Sequence, residues 1–461
     1  MTLLNVAKFG GTSMGSAEAL RNAASILARD PSSRLAVVSA CSGVTNQLIA
    51  LAEAELTGNA AGADRIGETL RLRHTSLASD LSLSMAAFDG LFHELEDLRA
   101  ILRDARASGE TRSPRWLDQV LSLGERLSSE LFCSFLRAEG RDAVVFDART
   151  ALRTDSVFGK AEPDVKMIAT LSRELLAPIL AKYEVVITQG FLGSNCAGIT
   201  TTLGRGGSDY SAALFAEALG AQSIYIWTDV PGVFTLDPNV APAARPIQEI
   251  SFAEAAELAN FGAKVLHPST LLPAMRANVP VFVGSTFRAG EQGTWIRSAV
   301  SDAPLARAIA LRRKQTLITV TSLRMLNAHG FLSHLFQTLA DHRLSVDLVT
   351  TSEVSVAMTV DGTSLGAGAP PVAHNRELLD KLREVAEVSV EEDLTLVALI
   401  GNRLTSTPGV ALRALRAAEP DNVRLLCHGA SPQNLCFLVA GHCAENIARR
   451  MHAEFLEGSR V

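Results

Sequence analysis

The stretch Ile199–Gly220, I-T-T-T-L-G-R-G-G-S-D-Y-S-A-A-L-F-A-E-A-L-G, decides how the rest of the chain is read. Thr200 to Thr202 is a short polar strand or loop. Gly204-Arg205-Gly206-Gly207-Ser208-Asp209 is a glycine-rich turn. A helix follows, with Ala212, Ala213, Phe215, Ala216 and Leu219 on a helical period. Ser208 or Asp209 is the expected N-cap. Backbone N–H groups at a helix start, with glycines that admit a ligand, form an anion site. Arg205 adds a planar fork suited to carboxylate or phosphate. No Gly-Lys-Ser/Thr ends the turn, so it is not a Walker loop. By itself the stretch reads equally as a strand-to-helix turn whose glycines serve geometry alone. Complementary pieces elsewhere favour a ligand site.

The N-terminal run L-L-N-V-A-K-F-G-G-T-S repeats the pattern. Leu3 to Phe9 reads as a buried strand, Gly10 and Gly11 break it, and Ala17 to Ala28 reads as a helix. Lys8, at the strand's end, can reach over the turn as a point charge on phosphoryl oxygens. A solvated edge lysine is the plainer alternative. Leu35 to Ala40 is a central strand, and C-S-G-V-T-N (Cys41 to Asn46) leads to a helix beginning near Gln47. Ser39 and Thr45 put hydroxyls at that strand's carboxyl end, where open α/β sheets bind ligands; either could equally be a helix cap.

Ala50 to Gly109 and Ser113 to Glu139 read as helical; Glu125, after a glycine, looks like a surface glutamate. Further strands are expected at Ala143–Phe146, Glu184–Gly190 and Ser223–Asp229, with the last strand at Val279–Ser285. Helix alternates with strand throughout, which predicts a doubly wound α/β domain. Ser298 to Pro304 reads as a linker. Beyond it, strands at Leu317–Ser322, Ser345–Thr351 and Val354–Asp361 combine with helices at Gly330–His342 and Arg376–Val385. A second round follows, ending in a helix over Ala444–Leu456. The pattern is a β-α-β-β-α-β unit used about twice. Gly362 to Pro371 is expected as a mobile loop.

Composition narrows the function. The chain has 461 residues, enough for roughly two to four domains, and 47% of them are hydrophobic. A net charge of −6 disfavours a nucleic-acid binder. No apolar run reaches membrane-spanning length, and the N-terminus lacks a signal-peptide pattern. The six cysteines form no C-x-x-C pair and the ten histidines no H-E-x-x-H, which argues for reduced thiols in the cytoplasm and against zinc.

In order and spacing, six motifs resemble those of the aspartokinases, most closely the monofunctional, lysine-sensitive type. They are K-F-G-G-T-S (Lys8 to Ser13), S-A-C-S-G-V-T-N (Ser39 to Asn46), T-T-T-L-G-R-G-G-S-D-Y (Thr200 to Tyr210), W-T-D-V-P-G (Trp227 to Gly232), F-G-A-K-V-L-H-P (Phe261 to Pro268) and S-V-D-L-V-T-T-S-E (Ser345 to Glu353). The resemblance covers essentially the whole chain. It implies an α/β amino-acid-kinase fold, an open, mostly parallel sheet with helices on both faces, over 1–298. A linker at 299–315 and two ferredoxin-like ACT domains, 316–392 and 393–461, would follow. In the family one ACT unit is inserted into the other, which implies an intertwined pair here.

The implied reaction is phosphoryl transfer from Mg-ATP to the side-chain carboxylate of L-aspartate, with no tightly bound cofactor and no metal on protein side chains. Lys8 and Asp209 would be catalytic. Ser39, Thr45, Glu125, Arg205 and Ser208 would bind aspartate, Glu125 its ammonium and Arg205 its α-carboxylate. Lys8, Gly10, Gly11, Thr12, Ser13, Thr228, Asp229, Asp237, Lys264 and Val265 would bind ATP. An inhibitory L-lysine would meet Met325, Ala328, Gly330, Phe331, Leu332, Val346, Asp347, Thr351, Ser352 and Glu353. The resemblance further implies a homodimer through the ACT domains, or a tetramer. The chain departs from the family pattern at Leu123 (commonly His), Phe234 (Tyr) and Asn239 (Arg). Two rivals are a kinase for another small acid and a non-catalytic amino-acid sensor on the same fold.

Overall fold

The computed structural model describes residues 3–84, 86, 88–109, 114–262, 268–326, 329–342, 344–361 and 372–457. Lys264, Val265, Ala328 and the expected mobile loop 362–371 lie outside them. The described chain divides into two compact units. One holds Met1–Val233, Pro246–Phe252 and Val265–Val300; the other holds Phe234–Arg245, Ala253–Lys264 and Ser301–Val461.

The strands of the first unit are β1 (Asn5–Phe9), β2 (Ser33–Val38), β3 (Ala143–Phe146), β4 (Val185–Gln189), β5 (Leu192–Ser194), β6 (Thr200–Thr202), β7 (Ser223–Thr228), β8 (Glu249–Ser251), β9 (Val281–Ser285) and β10 (Thr294–Arg297). Its helices begin with α1 (Ala17–Arg29), α2 (Val44–Thr57), α3 (Ala60–Asp80), α4 (Asp89–Ala107) and α5 (Pro114–Ala138). They continue with α6 (Val165–Leu171), α7 (Ala177–Lys182) and α8 (Gly207–Leu219); α9 (Phe252–Asn260) crosses into the second unit, and α10 (Pro268–Ala277) returns to the first. The main sheet runs β3-β4-β2-β1-β7-β9-β10-β8. It is parallel except where β10 lies antiparallel to β9. β1 and β4 are buried at every residue, as strands covered on both faces must be. β9 is not the last strand: after Gly290 and Gly293 the chain turns back as β10, four residues too short to show a period. β5 and β6 form a separate antiparallel pair.

The second unit is built on two long strands, β11 (Ala306–Thr321) and β14 (Glu387–Gly401). With β12 (Val346–Thr351), β13 (Ser355–Asp361), β15 (Leu425–His428) and β16 (Asn434–Ala440) they form an antiparallel sheet of order β12-β13-β11-β14-β16-β15. The helices are α11 (Phe331–Asp341), α12 (Arg376–Arg383), α13 (Val410–Ala418) and α14 (Ala444–His452), which a π-helical turn extends to Glu457. β11 and β14 pair from Ala306↔Gly401 to Thr321↔Glu387. The second half of β11 pairs with β13, while the second half of β14 pairs with β16. One ferredoxin-like repeat is thus interrupted by the other. Each has its own core, one around Ile318, Leu335, Met358 and Leu378, the other around Leu399, Val410, Phe437 and Ile447. Within the span 299–315, expected as a linker, Ala306 onward forms the first part of β11.

Candidate active site

β1 and β2 are neighbours, and β7 flanks β1 on the other side, so the carboxyl ends of three strands meet. Lys8 is the penultimate residue of β1. After Gly10 and Gly11 the chain makes a 3-10 turn, Thr12–Met14, before α1, which Ser16 caps by accepting from Ala19 N–H. The turn is fastened to β7. Gly10 N–H donates to the Trp227 carbonyl at 3.0 Å, so Gly10 offers a phosphate room rather than a donor. Ser13 is fully buried, and its hydroxyl bonds Thr286 Oγ1 at 2.7 Å and the Trp227 carbonyl at 3.3 Å, a use inside the protein. Thr228 and Asp229 follow at the end of β7, where Thr228 Oγ1 donates to Asp229 Oδ1 at 3.0 Å.

The glycine-rich turn lies across from this strand end. The helix it opens, α8, begins at Gly207 and has Gly206 as its N-cap. The expected Ser208 or Asp209 cap is not used: Gly206 adopts φ +74°, a left-handed backbone that glycine takes at little cost. Asp209, in the first turn, turns instead to Lys8, whose Nζ stands 2.6 Å from its Oδ1. Both side chains are largely buried.

A cavity of about 380 Å³ opens between these elements. Lys8, Gly11, Ser39, Thr45, Glu125, Ser208 and Asp209 line it. Sequence distance had separated these residues, and the fold brings them together. Cys41, Asn46 and Phe191 also line it, and the sequence reading missed them. Phe191 takes φ +67°, a strained setting for a bulky side chain. Arg205 is exposed on the turn, and Gly204, Gly206 and Gly207 beside it form the wall.

Glu125 is the least surface-like of these groups. It is 4% exposed, on the inner face of α5. Gly124 explains how α5 comes so near: a Cβ there would stand 2.9 Å from the Ala40 Cβ. Burial pushes the Glu125 carboxyl up to about 8, against the pull of the Ala40 backbone hydrogen bond. Its Oε2 is buried with no hydrogen-bond partner. A carboxylate oxygen so placed calls for a cationic partner. Leu123, at the departure from the family pattern, is fully buried in the core.

Asp118 was also missed. It lies seven residues before Glu125, on the same face of α5, and is fully buried. It accepts from Gly159 N–H at 2.9 Å, Thr202 N–H at 2.8 Å and Thr202 Oγ1 at 2.8 Å. The other two threonines are likewise held: Arg149 donates to Thr200 Oγ1, and Thr201 shares a hydroxyl bond with Thr154.

The remaining expected residues lie in the second unit. Asp237 is exposed and accepts from the backbone and side chain of Asn239, a local turn cap. Met325, Phe331 and Val346 are half-buried against the smaller core. Gly330 is the N-cap of α11 at φ +85°, and Leu332, Thr351, Ser352 and Glu353 are exposed. Asp347 has a partner already, Arg312, 3.0 Å away. Burial raises its carboxyl more than Arg312 lowers it. Among the described residues no His, Cys, Asp or Glu cluster could hold a metal, and no helix is long and apolar enough to cross a membrane.

A sequence profile of the amino acid kinase family matches residues 4–285. Lysine-sensitive aspartokinase 3 of Escherichia coli (strain K12) is 46% identical over 99% of this chain and 100% of its own length. The chloroplastic aspartokinase 3 of Arabidopsis thaliana is 33% identical, covering 98% of this chain and 81% of its own. Among solved structures, the R-state of E. coli aspartokinase III with aspartate and ADP superposes with a TM-score of 0.88, over 98% of this chain and 99% of that one, at 46% identity. The T-state of the same protein, with lysine and aspartate, gives a TM-score of 0.81 over the same shares. With its fold, cavity and full-length likeness in agreement, the chain belongs to the amino acid kinase family and, within it, to the aspartokinases.

Proposed function

We propose that the chain transfers the γ-phosphoryl group of ATP to the side-chain carboxylate of L-aspartate, giving ADP and 4-phospho-L-aspartate, the first step of aspartate-derived amino-acid synthesis. One observation carries this reading: the Lys8–Asp209 pair and the unpartnered oxygen of Glu125 face one cavity. The site thus offers a cation for phosphoryl oxygens and a carboxyl that can ionise against an ammonium, the two ends of the reacting pair.

The nucleophile needs no base, because a carboxylate is ionised at neutral pH. One of its oxygens forms the new O–P bond as the bond to the bridging oxygen breaks, and ADP leaves with that electron pair. The protein's work is to bring two anions together and offset the charge between them. Lys8 does this at the transferring group, and Asp209 holds its ammonium in place. Glu125 takes the substrate ammonium, Arg205 its α-carboxylate, and Ser39, Thr45 and Ser208 the neighbouring oxygens. Gly11, Thr12, Thr228 and Asp229 are the proposed nucleotide contacts of the first unit. Mg²⁺, arriving with ATP as part of the substrate, would offset further phosphate charge.

L-Lysine is the proposed inhibitor, acting through the ACT repeats. The lysine-sensitive name of the E. coli relative favours it, as does the half-buried carboxylate of Asp347. Lysine must bind one global state better than another to act at all. A homodimer through the ACT repeats, or a tetramer, and a cytoplasmic location complete the reading.

The test is ADP release from the purified protein with Mg-ATP and L-aspartate, with and without L-lysine. Aspartate-dependent release that lysine suppresses is expected. Release that ignores lysine would remove the effector assignment, and lysine binding without turnover would put the sensor reading in its place.

A further inference from the structure

Among the described residues, Asp118 is a fully buried carboxylate that none of the steps above uses. Its two oxygens are committed to three donors on two separate segments. Oδ2 accepts from Gly159 N–H and Thr202 N–H, and Oδ1 from Thr202 Oγ1. Burial raises the Asp118 carboxyl more than these three hydrogen bonds lower it, so the contacts hold in place a group that is costly to bury. The same two segments are tied to each other, since Ala161 N–H donates to the Thr202 carbonyl at 2.9 Å.

What lies just beyond Thr202 gives the arrangement its meaning. Leu203 N–H donates to the carbonyl of Phe191, a lining residue of the cavity. Gly204 rests on the other segment, and a Cβ there would stand 3.2 Å from the Gly159 carbonyl. Gly207 N–H closes the turn on the Gly204 carbonyl at 3.0 Å. Arg205 stands between them, exposed and outside this backbone network. The turn therefore has a fixed base and a free tip, and the base is fixed from α5. Because α5 also carries Glu125 two turns later on the same face, one rigid helix sets both proposed contacts to the ends of aspartate.

We propose that Asp118 is a positioning residue for aspartate: by holding Thr202 and Gly159 it sets the height of the glycine turn, and so the reach of Arg205, relative to Glu125. This rests on the reading of Arg205 as the aspartate clamp. Asparagine at 118 keeps the volume but replaces the carboxylate with a neutral amide: its one oxygen can still face the two N–H donors, while its NH₂ must donate to the Thr202 hydroxyl, which reverses that contact and weakens the other two.

The experiment is steady-state kinetics on Asp118→Asn, Arg205→Ala and the double variant in the full-length protein. Thr202→Val, which removes only the hydroxyl contact, serves as a milder probe. Asp118→Asn is expected to raise the aspartate KM roughly tenfold, leaving kcat and the ATP KM within about twofold. Thr202→Val should give a smaller rise of the same kind. If Asp118 works through Arg205, the double variant will be no worse for aspartate than Arg205→Ala alone. An unchanged aspartate KM in both Asp118→Asn and Thr202→Val would overturn the proposal. So would a fall in kcat and a rise in both KM values together, the pattern of a merely structural residue, or losses that multiply in the double variant. An Arg205→Ala protein with normal aspartate KM would overturn the clamp itself and the route through it, so the two failures read out separately.

Discussion

Glu125 shows how one residue's chemistry can hide in a sequence. A glutamate in a long helix reads as a surface group, and only the glycine before it signals otherwise. The structure buries it beneath α2 with its carboxyl raised from 4.5 to about 8. The raised value has a definite sign: between pH 4.5 and 8 the folded state holds a proton that the unfolded chain releases. Its contribution to stability is therefore present at low pH and is lost as pH rises through about 8. Glu125→Gln, which cannot ionise, is expected to be the more stable protein at pH 8.5, by up to a few kcal/mol, while losing most aspartate affinity. Thermal unfolding at pH 6 and 8.5 checks this, and a wild type that holds its Tm better than the variant at pH 8.5 would contradict it. Capturing an ammonium also requires the proton to leave. Aspartate binding below pH 8 should then release protons, measurable by calorimetry in two buffers of different ionisation enthalpy.

At the scale of elements, α5 does more than its sequence suggested. Its 25 residues carry Asp118 and Glu125, and its Ser128 hydroxyl donates to the Ser39 carbonyl while Ser129 Oγ accepts from Gln189. The existence of the helix was legible from its apolar period, and the glycine turns from their composition. The inward face of α5 was not, because small polar residues leave no period when they bond backbone rather than pack. Close approach is what Gly124 provides. Gly124→Ala would gain roughly 1 kcal/mol of helix propensity. The added methyl would have to force α5 away from Ala40 and Val44, at about 1–3 kcal/mol. A net loss in Tm with a raised aspartate KM is expected, and an unchanged aspartate KM would show that α5 tolerates the shift. β11 was hidden for the opposite reason. Arg312, Arg313 and Lys314 break its apolar run at a bulge where Lys314 takes φ +59°. β14 has its own irregularity opposite, with Asp393 at φ +57°. These charges mark the point where the long strands pass from one repeat to the other.

Across the whole molecule, the unit boundaries do not follow the order of the sequence. Phe234–Arg245 and Ala253–Lys264 fall inside the span matched to the amino acid kinase family, yet belong to the unit that holds the ACT repeats. Leu236, Val240 and Ala241 are buried in that unit's core. Glu254 is fully buried and meets Arg307 at 3.0 Å and Asn402 at 2.7 Å, and Glu257 accepts from Ser431 and Asn434. None of this was visible in the linear pattern, since each pair is separated by at least fifty residues. Arg307→Ala takes the guanidinium from a buried carboxylate and should cost on the order of 3 kcal/mol. Denaturant unfolding of the full chain measures it; a cost below about 1 kcal/mol would mean that Asn402 and its neighbours suffice.

The interleaving of these segments bears on heredity as much as on mechanics. In a protein whose units follow one another, a single recombination event can hand one unit a new partner. Here a crossover near residue 300 would seat a foreign second half on native 234–245 and 253–260, splitting one core between two ancestries. A graft meant to carry a different effector response must move all three stretches together. Point substitution, not exchange of halves, is the path this architecture leaves open for changing what it senses.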